Sequence, residues 1–159
     1  IHDVLNGPHD GPGVFSHGFT YSGHPVSCAA GLANIGLIER DDLCGHIRNI
    51  GPYFEEKLRG LLELQIVGDV RGKNFMMSLE FVSDKVSKTS FSADVGIGKR
   101  IAEHCFEDGL IARNVGDFII LSPPLILDKE QVDWLVSTLG AAIRKTIDEL
   151  VSENILPAI

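Results

Sequence analysis

A basic excess, paired cysteines and long apolar runs are all missing from this chain, and each absence narrows what it can do. Its 159 residues hold 14 Lys and Arg against 22 Asp and Glu, a formal net charge of −8. No basic patch stands out to neutralise a phosphate backbone, which argues against a nucleic-acid partner. A single phosphate held at one local site is a different matter. Cysteine is scarce: Cys28, Cys44 and Cys105 lie far apart, odd in number and with no CxxC. They read as buried, reduced thiols of a cytoplasmic protein. The longest apolar run, residues 118–127, is broken by Pro123-Pro124, so no membrane span is expected. There is no visible signal peptide. The start at Ile1-His2-Asp3, without methionine, is expected of a piece of a longer protein.

What remains is ordinary for an α/β chain, 44% hydrophobic and 23% charged. Residues 1–24 are loop-rich, with a flexible Gly7-Pro8-His9-Asp10-Gly11-Pro12-Gly13 connector. Residues 25–40 turn helical, and Ala29, Ala30, Gly31, Ala33 and Gly36 suggest close packing on more than one side. Asp41-Asp42 suit the start of a second helix. Its stripe of Leu43, Ile47, Ile50, Phe54, Leu58 and Leu61 runs straight through Gly51-Pro52, which predicts one helix kinked at Pro52. Residues 66–71 read as a strand, Gly72-Lys73-Asn74 as a turn, and residues 75–82 as a strand with Phe75, Met77, Leu79 and Phe81 on one face.

The polar stretch 83–92 reads as a loop. A helix over about 93–108 follows, with Val95, Ile101, Ala102, Cys105 and Phe106 inward, Gly109 as its terminating glycine and Leu110 placed to fold back on the last turn. Residues 110–113 and 118–121 read as strands joined around Asn114-Val115-Gly116-Asp117. Asp128, with Gln131 three residues on, starts a last helix whose core stripe is Val132, Leu135, Leu139, Ile143, Ile147 and Leu150. The order predicts an α+β domain: a small, mainly antiparallel sheet with helices over one face.

Two places carry candidate chemistry. Phe15-Ser16-His17-Gly18-Phe19-Thr20-Tyr21-Ser22-Gly23-His24-Pro25 sets hydroxyls and glycines ahead of a helix, with Pro25 suited to its first position. Such a loop can hold an anion, a phosphate above all. A Ser/Thr/Gly loop that caps the helix and binds nothing is the plainer reading, and spacing alone favours it. Arg113 sits at a strand end before a glycine turn, where a guanidinium can grip a carboxylate through two hydrogen bonds. A weak surface pair with Asp117 is the plainer alternative. His17 and His24 lack metal-ligand spacing. Gly96-Ile97-Gly98-Lys99 lies inside a helical pattern without full phosphate-loop spacing, and Gly72-Lys73 reads as a hairpin turn.

Taken with the text around them, these two places resemble one family. The block from Phe15 to Pro25 is similar to the hallmark of class III (omega) aminotransferases, enzymes of the type I pyridoxal-phosphate fold. Val70-Arg71-Gly72, Glu80, Gly109-Leu110-Ile111, Arg113, Gly116-Asp117 and Ser122-Pro123-Pro124-Leu125 follow in the expected order. The wording is closest to the amine:pyruvate and β-alanine:pyruvate branch. The resemblance implies the C-terminal portion of such an enzyme. Residues 1–24 would end the large cofactor domain, 25–40 form an interdomain helix and 41–159 the small domain.

Roles follow from the resemblance. Thr20, with the backbone of Phe19, would contact the phosphate of pyridoxal 5′-phosphate held by a second copy of the subunit. Arg113 would pair with a substrate carboxylate and swing aside for amines without one. An amine or ω-amino acid and a keto acid such as pyruvate would be the small-molecule partners. The family's Schiff-base lysine lies ahead of the opening block, whereas the first lysine here is Lys57. The chain by itself is therefore expected to be inactive. Two departures stand out: Lys73-Asn74-Phe75 replaces the usual second glycine and leucine, and Pro52 is unusual in its helix. A racemase or decarboxylase on the same scaffold, or a non-enzymatic binding or dimerisation module, are the competing functions.

Overall fold

The computed structural model describes residues 18–157. The chain divides into two units, Ile1–Asp41 and Asp42–Ile159. The first holds a short turn and helix α1, Pro25–Arg40, which starts with Pro25 at its first position. None of its residues is buried. The close packing expected around its alanines and glycines is therefore not made by the described residues. Val26, Leu32, Ile35 and Leu37 stand exposed on it.

In the second unit α2 (Leu43–Gly60) leads through a 3-10 turn, Leu61–Glu63, to strands β1 (Val67–Lys73) and β2 (Met76–Phe81). A second 3-10 turn, Ala93–Val95, precedes α3 (Ile97–Glu107). Strands β3 (Arg113–Val115) and β4 (Phe118–Leu121) and the long helix α4 (Lys129–Ser152) complete the unit. The four strands form one antiparallel sheet in the order β1-β2-β4-β3. Helices cover one face, so the expected α+β architecture is what the chain adopts.

Period-two alternation decides which side chains meet the helices. Met77, Leu79 and Phe81 on β2 and Ile119 and Leu121 on β4 point into the core that Leu139 and Ile143 of α4 share. On β1 the alternation is reset by a register shift between Val67 and Asp69, which lets Val67 and Val70 both be buried. The opposite face carries a straight row, Arg71–Ser78–Ile120–Arg113, each residue paired with the next across the sheet.

Caps set the helix limits. Asp42, in the left-handed region, accepts a hydrogen bond from the Gly45 amide at 3.1 Å and opens α2. Asp41 instead pairs with Arg40 at 2.7 Å. Asp128 and Gln131 complete a reciprocal capping box at α4. Gly109 ends α3 with φ 85°, and the Leu110 amide reaches back to the Cys105 carbonyl at 2.8 Å.

Several expectations need correction. Leu110 closes that turn, so β3 begins at Arg113 rather than ending there. Residues 93–96 form a 3-10 turn and a left-handed glycine, so α3 starts at Ile97. Ile97 is fully buried, whereas Phe106, expected inward, is exposed. Of the cysteines only Cys105 is buried, its thiol pushed up to about 11 chiefly by burial; Cys28 and Cys44 are exposed. Helix α2 continues unbroken through Pro52.

The two departures from the family wording meet in space. Asn74, at φ 51°, and Phe75 make the β1–β2 turn, so Phe75 is not a strand residue. Its ring packs edge-on to Phe54 of α2 at 5.9 Å. A Cβ on Gly51, the residue before Pro52, would lie 2.8 Å from Asn74 Cβ. The Glu55 carboxylate accepts from the Asn74 amide at 2.7 Å and pairs with Lys73 at 3.0 Å. Gly51 thus leaves the room that this turn occupies.

Candidate functional site

Arg113 opens β3, the edge strand, and is exposed there. The expected pairing with Asp117 does not form. The Asp117 carboxyl takes a hydrogen bond from the Phe91 backbone, and burial foremost, with Glu80 nearby, raises its pKa. Among the described residues no carboxylate pairs with the Arg113 guanidinium. The other arginine of the row is already engaged: Arg71 bonds Glu80 at 2.6 Å and Asp69 at 3.2 Å, and lies over the Phe118 ring at 5.3 Å. One row therefore holds one neutralised and one available guanidinium.

The available one lines an open cleft of about 440 Å³. Leu110, Ile120, Pro123, Pro124 and Trp134 supply mainly apolar walls, with Ser122 beside them. The Ser122-Pro123-Pro124 segment and Arg113, separate in the sequence, are brought together here. Trp134, in the first turns of α4, belongs to no motif that the sequence displays; it is the single tryptophan of the chain, half exposed in the cleft. A mainly apolar cleft with one unpaired guanidinium suits a small molecule with a carboxylate at one end.

Phe19 and Thr20 lie in the other unit. The Phe19 amide donates to Ser22 Oγ at 3.0 Å, and the Ser22 amide returns a bond to the Phe19 carbonyl at 2.9 Å. The Phe19 amide is thereby committed within the turn. Thr20 is exposed, and no described residue takes its hydroxyl. His24 precedes α1 without a side-chain cap, so the first-turn amides of the helix are not met by a neighbouring side chain. A hydroxyl and a helix start that no described residue engages are a donor set that fits a phosphate. His17 and the start of the opening block lie outside the described residues. Among the described residues no group of three or more His, Cys, Asp or Glu could hold a metal ion, and no helix is long and apolar enough to cross a membrane.

Comparison with known proteins adds an independent line. The family model for class-III aminotransferases matches residues 3–143. An uncharacterized aminotransferase of Sinorhizobium fredii is 40% identical over 157 residues, covering 97% of this chain and 34% of that protein. A probable mitochondrial gamma-aminobutyrate transaminase of Oryza sativa is 36% identical over 153 residues, covering 96% and 31%. Among solved structures, an aminotransferase of Vibrio fluvialis in its PMP-bound form superposes with TM-score 0.80 at 41% identity, over 86% of this chain and 30% of that one. An omega-aminotransferase of Paracoccus denitrificans gives 0.81 at 40%, over 86% and 30%. The chain spans about a third of the length of the curated relatives it matches.

Proposed function

We propose, because the chain belongs to the class-III aminotransferase family, that the complete protein moves an amino group from an amine or ω-amino acid to a keto acid such as pyruvate. The observation that carries the reading is the Arg113 cleft: a guanidinium without a carboxylate partner among the described residues, beside the Ser122-Pro123-Pro124 wall. Residues 1–24 are read as the end of a cofactor domain, 25–40 as an interdomain helix and 41–159 as the small domain. Pyridoxal 5′-phosphate, when bound, supplies the electron sink that amino transfer requires. Thr20 would hold its phosphate across a homodimer contact, with the Phe19 turn fixing the loop that presents Thr20.

The residues of this chain bind and orient. Arg113 would take the carboxylate of the donor or acceptor through paired hydrogen bonds, which fixes the reacting end of the substrate at a set distance. Leu110, Pro123, Pro124 and Trp134 would exclude water from the substrate's apolar body. In this reading the proton-moving lysine is not among residues 1–159, and those residues alone would not transaminate.

The test is alanine formation from pyruvate by the full-length protein, with β-alanine and simple amines as donors. Alanine that appears only with both substrates supports the reading. No alanine from any donor would sink it, leaving a racemase, a decarboxylase or a non-enzymatic module. Thr20→Val in the same protein should weaken retention of the cofactor on dialysis, and unchanged retention would remove Thr20 from the phosphate site.

A further inference from the structure

Gly96-Ile97-Gly98-Lys99 begins α3, and nothing in the site described above uses it. Its two glycines have separate jobs. Gly96 holds a left-handed backbone, φ 60°, immediately ahead of the helix. Gly98 is helical and buried, and it lies flat against the β3–β4 hairpin. A Cβ placed on it would collide with the Gly116 carbonyl oxygen, and would lie 3.2 Å from the Phe118 carbonyl oxygen and 3.4 Å from Asn114 Cβ. All three neighbours belong to the hairpin whose first residue is Arg113.

Which partner would yield to a side chain here is decided by how each is held. Helix α3 is anchored. Ile97, Ile101 and Cys105 are fully buried, and Arg100–Glu153 at 2.6 Å and Lys145–Glu107 at 2.7 Å tie it to α4. His104 Nε2 lies 2.8 Å from Glu149 Oε1 on the same seam. On the hairpin, the β4 side is fixed by the Phe81 amide, which donates to the Asp117 carbonyl at 2.9 Å, and by buried Ile119 and Leu121. Strand β3 is three exposed residues at the sheet edge, paired with β4. Of the hairpin's two strands, β3 alone buries none of its residues.

We infer that Gly98 is a positioning residue for Arg113: its missing side chain sets how closely the β3–β4 hairpin sits on α3. That seat fixes where the guanidinium enters the cleft. The inference rests on the reading of Arg113 as the carboxylate contact.

The test uses the full-length, cofactor-loaded enzyme and the half-reaction with amine alone. It compares kcat/KM for β-alanine with that for 1-propylamine, the same chain length without the carboxylate. Damage common to both amines cancels in the ratio, so a purely structural effect would not move it. Arg113→Ala should lower the ratio, and Gly98→Ala should lower it about tenfold, as expected for a small displacement of a binding group. The double variant should fall no further than Arg113→Ala. A crystal structure of Gly98→Ala should show the β3 arm displaced from α3. If Gly98→Ala folds and keeps the wild-type ratio while Arg113→Ala lowers it, the positioning role is overturned. It is overturned as well if Gly98→Ala lowers the ratio equally in the Arg113→Ala background. If Arg113→Ala leaves the ratio unchanged, the carboxylate reading itself fails, and the Gly98 role with it. Should Gly98→Ala not fold, Gly116→Ala disturbs the same hairpin from its turn, where the new methyl meets open space but the backbone, at φ 55°, is strained. A lowered ratio supports the inference, and an unchanged one overturns it.

Discussion

The sheet's two hairpins both rest on a helical glycine, yet they are secured differently. The β1–β2 turn sits on Gly51 of α2 and is then locked: Glu55 holds the Asn74 amide and Lys73, and Phe75 packs on Phe54. The β3–β4 hairpin sits on Gly98 of α3, its turn tied through the Asp117 carbonyl, while its outer strand keeps a free edge. The first hairpin turns its charges on itself. The second leaves its arginine unpaired over a cleft. The difference separates a hairpin built for stability from one built to present a side chain.

Gly51→Ala attacks the locked hairpin and should have the largest effect on folding. The new methyl overpacks against Asn74, whose backbone is held by Glu55, and the loss should be about 1–3 kcal/mol despite alanine's better helix propensity. Thermal or urea unfolding of the full-length protein reads it. An unchanged or raised midpoint would show that Asn74 moves away freely.

Glu55→Gln tests the charged part of the lock. The Asn74 amide foremost, helped by Lys73 and Arg59, holds the Glu55 carboxyl below its ordinary value against the opposing effect of burial. A depressed carboxyl pKa contributes stability above the unfolded value and loses it as pH falls through the folded one. The variant should therefore be less stable by about 1 kcal/mol near neutral pH. The gap to wild type should close as pH drops below the usual carboxylate range. A gap that stays constant with pH would mean the charge is irrelevant.

Arg113→Ala should barely register in the same unfolding measurement, within about 0.5 kcal/mol, because the side chain is exposed and unpaired. A loss as large as that of Gly51→Ala would mean that the second hairpin depends on its arginine for folding, erasing the contrast.

Most of the architecture is legible in the sequence because local rules and tertiary packing agree there. The capping box at Asp128, the alternation along β2 and the core stripe of α4 each follow from spacing, and each is present. Errors fall where a residue has two possible uses. Leu110 reads both as the residue that folds back on α3 and as the start of a strand, and only the first use is made; Phe75 continues an alternation yet turns into the Phe54 contact. Cys44 shares a helix with the core stripe but lies on its exposed side. Helix α1 is apolar without a preferred face, and no described residue buries it, so its small residues tell of packing that the described chain does not make. Arg113 and Ser122-Pro123-Pro124 are legible one by one. Their sharing of a cleft with Trp134, and the seat at Gly98, depend on long-range proximity that no local pattern encodes.

If Arg113 is the free guanidinium that selects carboxylate-bearing substrates, the dependence of the half-reaction rate on β-alanine concentration shows it most directly. The comparison is between full-length wild type and Arg113→Ala, with 1-propylamine as the reference. The KM for β-alanine should rise about ten- to a hundredfold, the loss of a charge-assisted bidentate contact, with a much smaller change for 1-propylamine. Equal changes for the two amines would contradict the assignment.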